Sequence, residues 1–381
     1  MKIKTNNEKI KVLLAMSGGV DSSIAAFLLK KQGYEVIGAF MKNWSDTKDP
    51  LTGRCAWRTE RKMALKIASQ LDIPLITLDF EKQYKKEVIN KMFEKYKKGI
   101  TPNPDIDCNQ KIKFPLLLKE AQKRKINLIS TGHYARVKKS KNKDKKEIYE
   151  LLRGKDESKD QSYFLYKITQ EELSHCLFPI GEYTKEQIRE IAKENNFPNY
   201  NKKGTVGICF VGKVNLKKFL QKKIKPKKGK IVDPNGKVIG EHDGIYYYTI
   251  GQRLGPRYGF EIDRGDNQTK PSKWYVAKKA IKTNTITAAP ENHPLNFRKE
   301  IIVKDLHLIS EKEKTFQKNP TKIFSRIRHV GELLPSILNY NKKTKQFQII
   351  LNESITGVSE GQAVVIYDKD KVIGGGEISF K

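Results

Sequence analysis

The stretch from Lys11 to Leu29 constrains this chain more than any other. Lys11-Val12-Leu13-Leu14-Ala15-Met16 has the profile of a short buried strand. Ile24-Ala25-Ala26-Phe27-Leu28-Leu29 is the apolar part of a helix, which Gly33 stops. Between them lies Ser17-Gly18-Gly19-Val20-Asp21-Ser22-Ser23. Two glycines let the backbone turn tightly and bring N–H groups close to an anion; three hydroxyls add donors, and the helix N-terminus adds a favourable dipole. Strand, glycine turn and helix together make a phosphate cradle. No Gly-Lys-Ser/Thr follows, so it is not a Walker loop.

The pattern that this stretch begins continues to about residue 135. Val36–Met41 is a second apolar strand, residues 58–71 have helical spacing, and 74–80 is a third strand. Helices are predicted over about 82–97 and 111–124, before the strand Leu128-Ile129-Ser130-Thr131. Strands alternating with helices predict a parallel sheet with helices on both faces, an α/β N-terminal domain. Ligands bind beyond the carboxyl ends of such strands, which puts Ser17–Ser23, Met41 and Gly132-His133 on one rim. A lone histidine such as His133 is more often structural than a ligand contact; its place at a strand end beside a glycine makes the two readings even.

Residues 138–147 are a charged tip between two strand-like pieces, 135–137 and 148–152, and helical patterns return at about 169–176 and 184–195. Past residue 210 the composition shifts. Lys222–Lys230 is a basic linker, and Asp233-Pro234-Asn235-Gly236 is a hairpin turn. Short strands follow at 246–250, 274–278, 285–288, 301–308, 322–329, 346–351, 363–367 and 374–380. The expected organisation is an N-terminal catalytic domain at 1–212, a small β domain at 213–290 and a C-terminal β-barrel at 291–381.

Among 381 residues, 75 lysines and arginines face 43 acids, a formal net charge of +32. Such an excess points to a polyanionic partner, most simply nucleic acid, although a lysine-rich composition spread over every surface gives the same total. Four cysteines without a CxxC pair argue against a zinc ribbon and a disulfide scaffold. They fit a reducing compartment. Met1–Asn7 lacks the apolar core of a signal peptide, and no run approaches a membrane span of about 18 apolar residues. The chain reads as soluble, cytoplasmic and monomeric.

Two cysteine loops stand out. In Thr101-Pro102-Asn103-Pro104-Asp105-Ile106-Asp107-Cys108-Asn109, two prolines stiffen an extended segment, and a helix with Lys111 and Lys113 follows. A thiol beside a helix start has a lowered pKa, and Asp105, three residues earlier, is placed to act as acid or base. The alternative is a buried structural cysteine. In Gly204-Thr205-Val206-Gly207-Ile208-Cys209-Phe210, glycines and bulky neighbours suggest a mobile loop. One thiol can hold a sulfane sulfur as a persulfide, and a second can release it by forming a disulfide. Cys55 and Cys176 read as small core residues.

The SGGVDS loop resembles the pyrophosphate loop of the N-type ATP pyrophosphatases. TPNPDIDCN, KIKF at Lys111–Phe114, TGHYAR, KDQSYFLY at Lys159–Tyr166, LFPIGEYTKEQIR, GICFVG at Gly207–Gly212, TIGQRLG at Thr249–Gly255 and the final Gly374–Gly376 follow in order. Together they resemble the tRNA-specific 2-thiouridylases over nearly the whole chain. The resemblance implies an adenine nucleotide alpha hydrolase-like first domain, with ATP and Mg²⁺ as cofactors. The implied activity is adenylation of the C2 oxygen of the wobble uridine and its replacement by persulfide sulfur. It implies tRNA and a persulfide-donating sulfur carrier or cysteine desulfurase as partners. Cys209 would carry the persulfide, Cys108 would be the nucleophile that ends in a disulfide with it, and Asp105 the acid/base group. Asn103, Pro104 and Asp105 would face the target base. Ala15, Met16, Ser17, Gly18, Gly19, Val20, Asp21, Ser22, Met41 and Gly132 match ATP-contacting positions. Asp21 would help place Mg²⁺ or order the loop. His133, Lys159, Asp160, Gln161, Arg326, Ile327 and Gln362 match tRNA contacts. The chain departs from the family pattern at Gly204-Thr205-Val206, where Asp-Ser-Thr is common, and at Ile327, where tyrosine is common. Other enzymes with this ATP loop, such as argininosuccinate synthetase, need no paired reactive cysteines, and a non-catalytic RNA-binding protein would need neither loop nor thiols.

Overall fold

The computed structural model describes residues 9–47, 55–141, 145–204, 209, 211, 215–255, 273–310, 313–329 and 331–380. The expectations for Met1–Asn7, for residues 142–144 of the charged tip and for the 205–208 approach to Cys209 lie outside them. Two compact units form. One holds the described residues of Met1–Val88, Pro104–Lys213 and Lys369–Ile373; the other holds Ile89–Asn103, Val214–Asp368 and Gly374–Lys381.

The first unit is built on the predicted parallel sheet. Strand β1 (Lys11–Ala15) leads through the glycine turn into α1 (Val20–Lys31). Then come β2 (Glu35–Lys42), α2 (Ala56–Gln70), β3 (Leu75–Asp79) and β4 (Leu128–Ser130). The sheet order is β3-β2-β1-β4 followed by the short strand Cys176–Leu177, and every pairing is parallel. Val12, Leu13 and Leu14 are fully buried, which is why β1 is an unbroken apolar run rather than an alternating one. The chain winds outward from β1 to β3, then crosses back to β4 on the other side. The switch point therefore lies beyond the carboxyl ends of β1 and β4, where such sheets take ligands.

Two helical runs interrupt the α pattern with π turns. Residues 81–97 pass through Glu81–Tyr84, a π segment Lys85–Asn90 and Lys91–Lys97. Residues 104–123 pass through Pro104–Cys108, a π segment Asn109–Lys113 and Phe114–Lys123. The second run begins seven residues before its predicted start, because Pro104 is suited to the first helical position, where its missing N–H costs nothing.

The second unit holds a small sheet ordered Arg253–Leu254, Trp274–Ala280, Thr285–Pro290, Gly229–Val232, Val238–His242. Its core is Ile231, Ile245, Tyr248, Leu254, Val276, Ile286 and Ala288. The strand expected at 246–250 is instead a 3₁₀ turn, Ile245–Tyr247, entered through Gly244 at φ +152°. A six-stranded barrel runs Phe297–Leu308, Gln346–Thr356, Leu334–Asn341, Thr321–Arg326, Ala363–Asp368, Lys371–Ser379 and back to Phe297–Leu308. Leu334–Asn341 was not among the predicted strands, since Pro335 and the interspersed asparagines break its alternation.

Candidate active site

The loop after β1 is tied down from within. Ser17 N donates to Ser22 Oγ at 3.2 Å, and the hydroxyls of Ser22 and Ser23 donate to the Gly19 carbonyl at 3.0 and 2.9 Å. Gly18 adopts φ +75°, open only to glycine at low cost, and a Cβ there would meet the Glu60 carbonyl at 2.4 Å. Buried Asn199 donates to the Gly18 carbonyl at 3.1 Å and to Ser23 Oγ at 3.0 Å, bracing the turn from outside. The cap residue of α1, Gly19, offers no side-chain acceptor to the first-turn amides. An uncapped helix N-terminus of this length fits a phosphate group.

Gly132 closes the other wall. A Cβ on it would lie 2.8 Å from Ser22 N and 2.9 Å from the Asp21 carbonyl carbon, so only glycine lets the end of β4 approach α1 this closely. Ala15 ends β1, Met16 and Val20 are buried beside it, and buried Met41 lies one residue from the end of β2. Asp21 is engaged within the protein: its Oδ1 accepts from Tyr134 Oη at 2.9 Å and from Lys185 Nζ at 2.5 Å. That arrangement orders the loop. Burial and the Asp21 carboxylate together push the Tyr134 phenol far above its ordinary pKa.

The thiol pair lies in the same unit. Cys108 Sγ and Cys209 Sγ are 3.8 Å apart, both unoxidised, with Cys108 fully buried and Cys209 half-buried. Closing them to a disulfide at about 2.05 Å needs a movement of roughly 2 Å. The backbone of Cys209 is held at both ends: its N–H donates to Asp105 Oδ1 at 2.8 Å, and its carbonyl accepts from Tyr84 Oη. Asp105 and Cys108 are three residues apart on the helical run and share a face.

Sequence reasoning assigned the activated thiolate to Cys108, and here the structure differs. Cys108 lies one turn inside the helix and away from water, so burial, and then its own hydrogen bond to Cys209, push its pKa well up. Cys209 is the lowered thiol. The Cys108 S–H donates to its sulfur and outweighs burial, and the Lys113 ammonium adds to the effect. Burial raises the Asp105 carboxyl, against the opposing pull of the Cys209 N–H and Lys113.

The expected RNA contacts are placed less openly. His133 is 7% exposed, stacked on Phe114 with ring centroids 5.7 Å apart, with Nδ1 2.7 Å from Thr131 Oγ1 and Nε2 3.2 Å from Lys113 Nζ. Asp160 is 1% exposed and accepts from Gly154 N, Ser162 N and Ser162 Oγ, which knots its loop. Gln161 Oε1 accepts from Tyr134 N at 3.0 Å. In the second unit, Ile327 is buried and so is Arg326, whose guanidinium lies over Tyr367 at 5.3 Å. Gln362 Nε2 donates to the Thr101 and Pro102 carbonyls at 2.8 and 3.1 Å. Among these residues Lys159 alone is exposed, while Asn103 and Pro104 are half-buried. Tyr84, Lys185 and Asn199 were not legible as site residues, because each reaches the site from a distant segment; Tyr134 follows His133 directly, and only its bond to Asp21 reveals its part.

A phosphate loop at the switch point of a parallel sheet, with two thiols and a carboxylate in the same unit, defines a nucleotide-binding enzyme domain of the HUP class. Family models match in series: a tRNA methyl transferase HUP domain over 10–213, a tRNA methyl transferase PRC-barrel domain over 217–290 and an aminomethyltransferase β-barrel domain over 298–378. The tRNA-specific 2-thiouridylase MnmA of Flavobacterium johnsoniae is 38% identical, covering 97% of this chain and 100% of its own length. That of Listeria monocytogenes is 38% identical over 99% and 96%, and the MnmA 1 protein of Geobacillus kaustophilus 40% over 96% and 95%. The chain belongs to the tRNA-specific 2-thiouridylase family. Among solved structures, a 4-thiouridine synthetase–RNA complex with bound ATP gives a TM-score of 0.36 at 17% identity, over 56% of this chain and 50% of that one.

Proposed function

We propose that this protein is an ATP-dependent tRNA-uridine 2-sulfurtransferase acting on the wobble uridine of anticodons. The observation that carries the reading is the pair of free thiols 3.8 Å apart beside Asp105. The names of two of the family models suggest a methyl transfer, but a thiol able to hold a sulfane sulfur with a second thiol in reach suits sulfur transfer. ATP, bound with Mg²⁺, supplies the activation of the C2 oxygen as an adenylate. Ser17–Ser22 and Gly132 hold its phosphates, with Ala15, Met16 and Met41 along the same rim.

The two thiols divide the sulfur chemistry as their acidities do. Cys209, the lowered thiol, takes a sulfane sulfur from a persulfide-donating carrier or cysteine desulfurase. The terminal sulfur attacks C2, and AMP leaves with the C2 oxygen. Asp105 takes the Cys108 proton, and the Cys108 thiolate attacks Cys209 Sγ. The bond between Cys209 Sγ and the transferred sulfur breaks, and its electron pair stays with the sulfur on C2. The products are 2-thiouridine and a Cys108–Cys209 disulfide, which an external thiol reduces. Asn103 and Pro104, on the approach to Asp105, face the base, and Lys159 meets the RNA.

The test is nucleoside mass spectrometry of tRNA treated with the protein, ATP and a persulfide donor. Cys108→Ser and Cys209→Ser each abolish 2-thiouridine, while tRNA-dependent ATP–pyrophosphate exchange persists. A variant that thiolates at the wild-type rate removes its cysteine from the mechanism. Loss of tRNA dependence in the wild-type exchange overturns the substrate.

A further inference from the structure

Lys113 takes no step in the reaction proposed above, yet its charge is held beside the thiols. It lies five residues after Cys108. On a regular α-helix that spacing turns the two about 140° apart. The π segment Asn109–Lys113 changes this, because i→i+5 bonding brings residues five apart toward one side. Lys113 hydrogen-bonds Cys209 and feels Cys108 and Asp105 electrostatically. Its Nζ is also 3.2 Å from His133 Nε2.

An ammonium has donors only, so His133 Nε2 must accept, and the ring proton lies on Nδ1, donating to Thr131 Oγ1 at 2.7 Å. The Phe114 and Phe178 rings fix the imidazole in that orientation. Thr131, Gly132 and His133 leave the end of β4 together, and Gly132 is the residue against which α1 begins. One strand end therefore braces the phosphate loop and aims the lysine at the thiols.

We propose that Lys113, oriented by His133, is the cationic partner of Cys209, stabilising its thiolate and the persulfide anion that it carries. Among the described residues, the groups facing Cys209 are Cys108, which donates its S–H, Asp105, whose carboxylate opposes a second negative charge, Tyr84, which binds the carbonyl, and Lys113, the one cation of these four. His133 is a positioning residue, acting through Lys113. The persulfide half of the proposal rests on the sulfur-transfer reading; the thiolate half does not.

The test of the thiolate half needs neither tRNA nor ATP. The alkylation rate of Cys209 by iodoacetamide is followed by peptide mass spectrometry on the whole protein, from about pH 6 to about pH 10, with Cys55 as internal reference. Lys113→Met lowers the Cys209 rate at neutral pH about tenfold and moves its pH profile upward, while Lys113→Arg restores most of the wild-type profile. His133→Gln gives a smaller shift in the same direction. An unchanged Cys209 profile in Lys113→Met, with the Cys55 rate and the circular dichroism spectrum as in wild type, overturns the proposal. A Lys113→Met protein that does not fold leaves the decision to His133→Gln, where an unchanged profile overturns it as well. A shifted profile in a protein that makes no 2-thiouridine upholds the electrostatic pair and sinks the sulfur-transfer reading alone.

Discussion

His133 carries no charge where it sits. Burial, and then the neighbouring Lys113, hold its imidazole well below the ordinary value of about 6.5. Below that pH the unfolded chain binds a proton that the folded chain refuses, so stability falls as pH drops from about 6.5 toward the depressed value. His133→Gln removes this contribution. Its melting temperature should fall less on acidification from pH 7 to pH 5 than the wild type's, although the variant starts about 1 kcal/mol less stable from the lost hydrogen bonds. Parallel curves for the two proteins would show that His133 titrates freely. Chain order made this residue conspicuous as a strand-end histidine but not its partner. Lys113 belongs to a helix whose α period hides it from Cys108, and no local signal announces the π turn. The same limit explains why the lowered acidity falls on Cys209 and not on Cys108. A helix-start argument looks only at Cys108 and its neighbours, whereas the acidity of Cys209 depends on a sulfur and an ammonium about a hundred residues away in sequence.

Elements whose pattern is local were legible; those defined by pairing were not. β1, β2 and α1 follow from hydrophobic period and turn chemistry alone. The barrel strand Leu334–Asn341, by contrast, is held by neighbours on both sides, pairing with Thr321–Arg326 and with Gln346–Thr356. The closing strand shows what the sequence does record about the barrel. Gly374 and Gly375 pair with Leu308 and His307, and a Cβ on Gly374 would lie 2.0 Å from the His307 carbonyl oxygen. A Cβ on Gly376 would meet Val303 Cγ1 at 2.5 Å. The glycines are there because the two strands cross too closely for a side chain. Gly374→Ala must push the His307 backbone away and should cost about 1–3 kcal/mol in chemical denaturation, as overpacking does. A Gly374→Ala protein as stable as the wild type would mean that crowding at the barrel seam is not what Gly374 relieves.

Taken whole, the molecule puts its chemistry in one unit. Phosphate loop, Asp105, both thiols, Lys113 and His133 all belong to the unit that contains the parallel sheet. The second unit carries the small sheet, the barrel and the basic segment 222–230. Among the described residues no helix is long and apolar enough to cross a membrane, and no cluster of three or more metal-ligating side chains occurs. The net charge of +32 is a property of the full chain and suits a polyanionic substrate, but of the residues expected to touch that substrate only Lys159 is exposed. Composition gives the sign of a partner, and geometry decides which residues meet it. The central claim is that the bond leaving Cys209 is broken by Cys108. A single turnover decides it: protein preloaded with persulfide on Cys209 is mixed with ATP and tRNA without reductant, and both products are counted by mass spectrometry. One Cys108–Cys209 cross-linked peptide should accumulate for each 2-thiouridine formed. Thiolated tRNA appearing while both cysteines remain uncrosslinked would contradict the account.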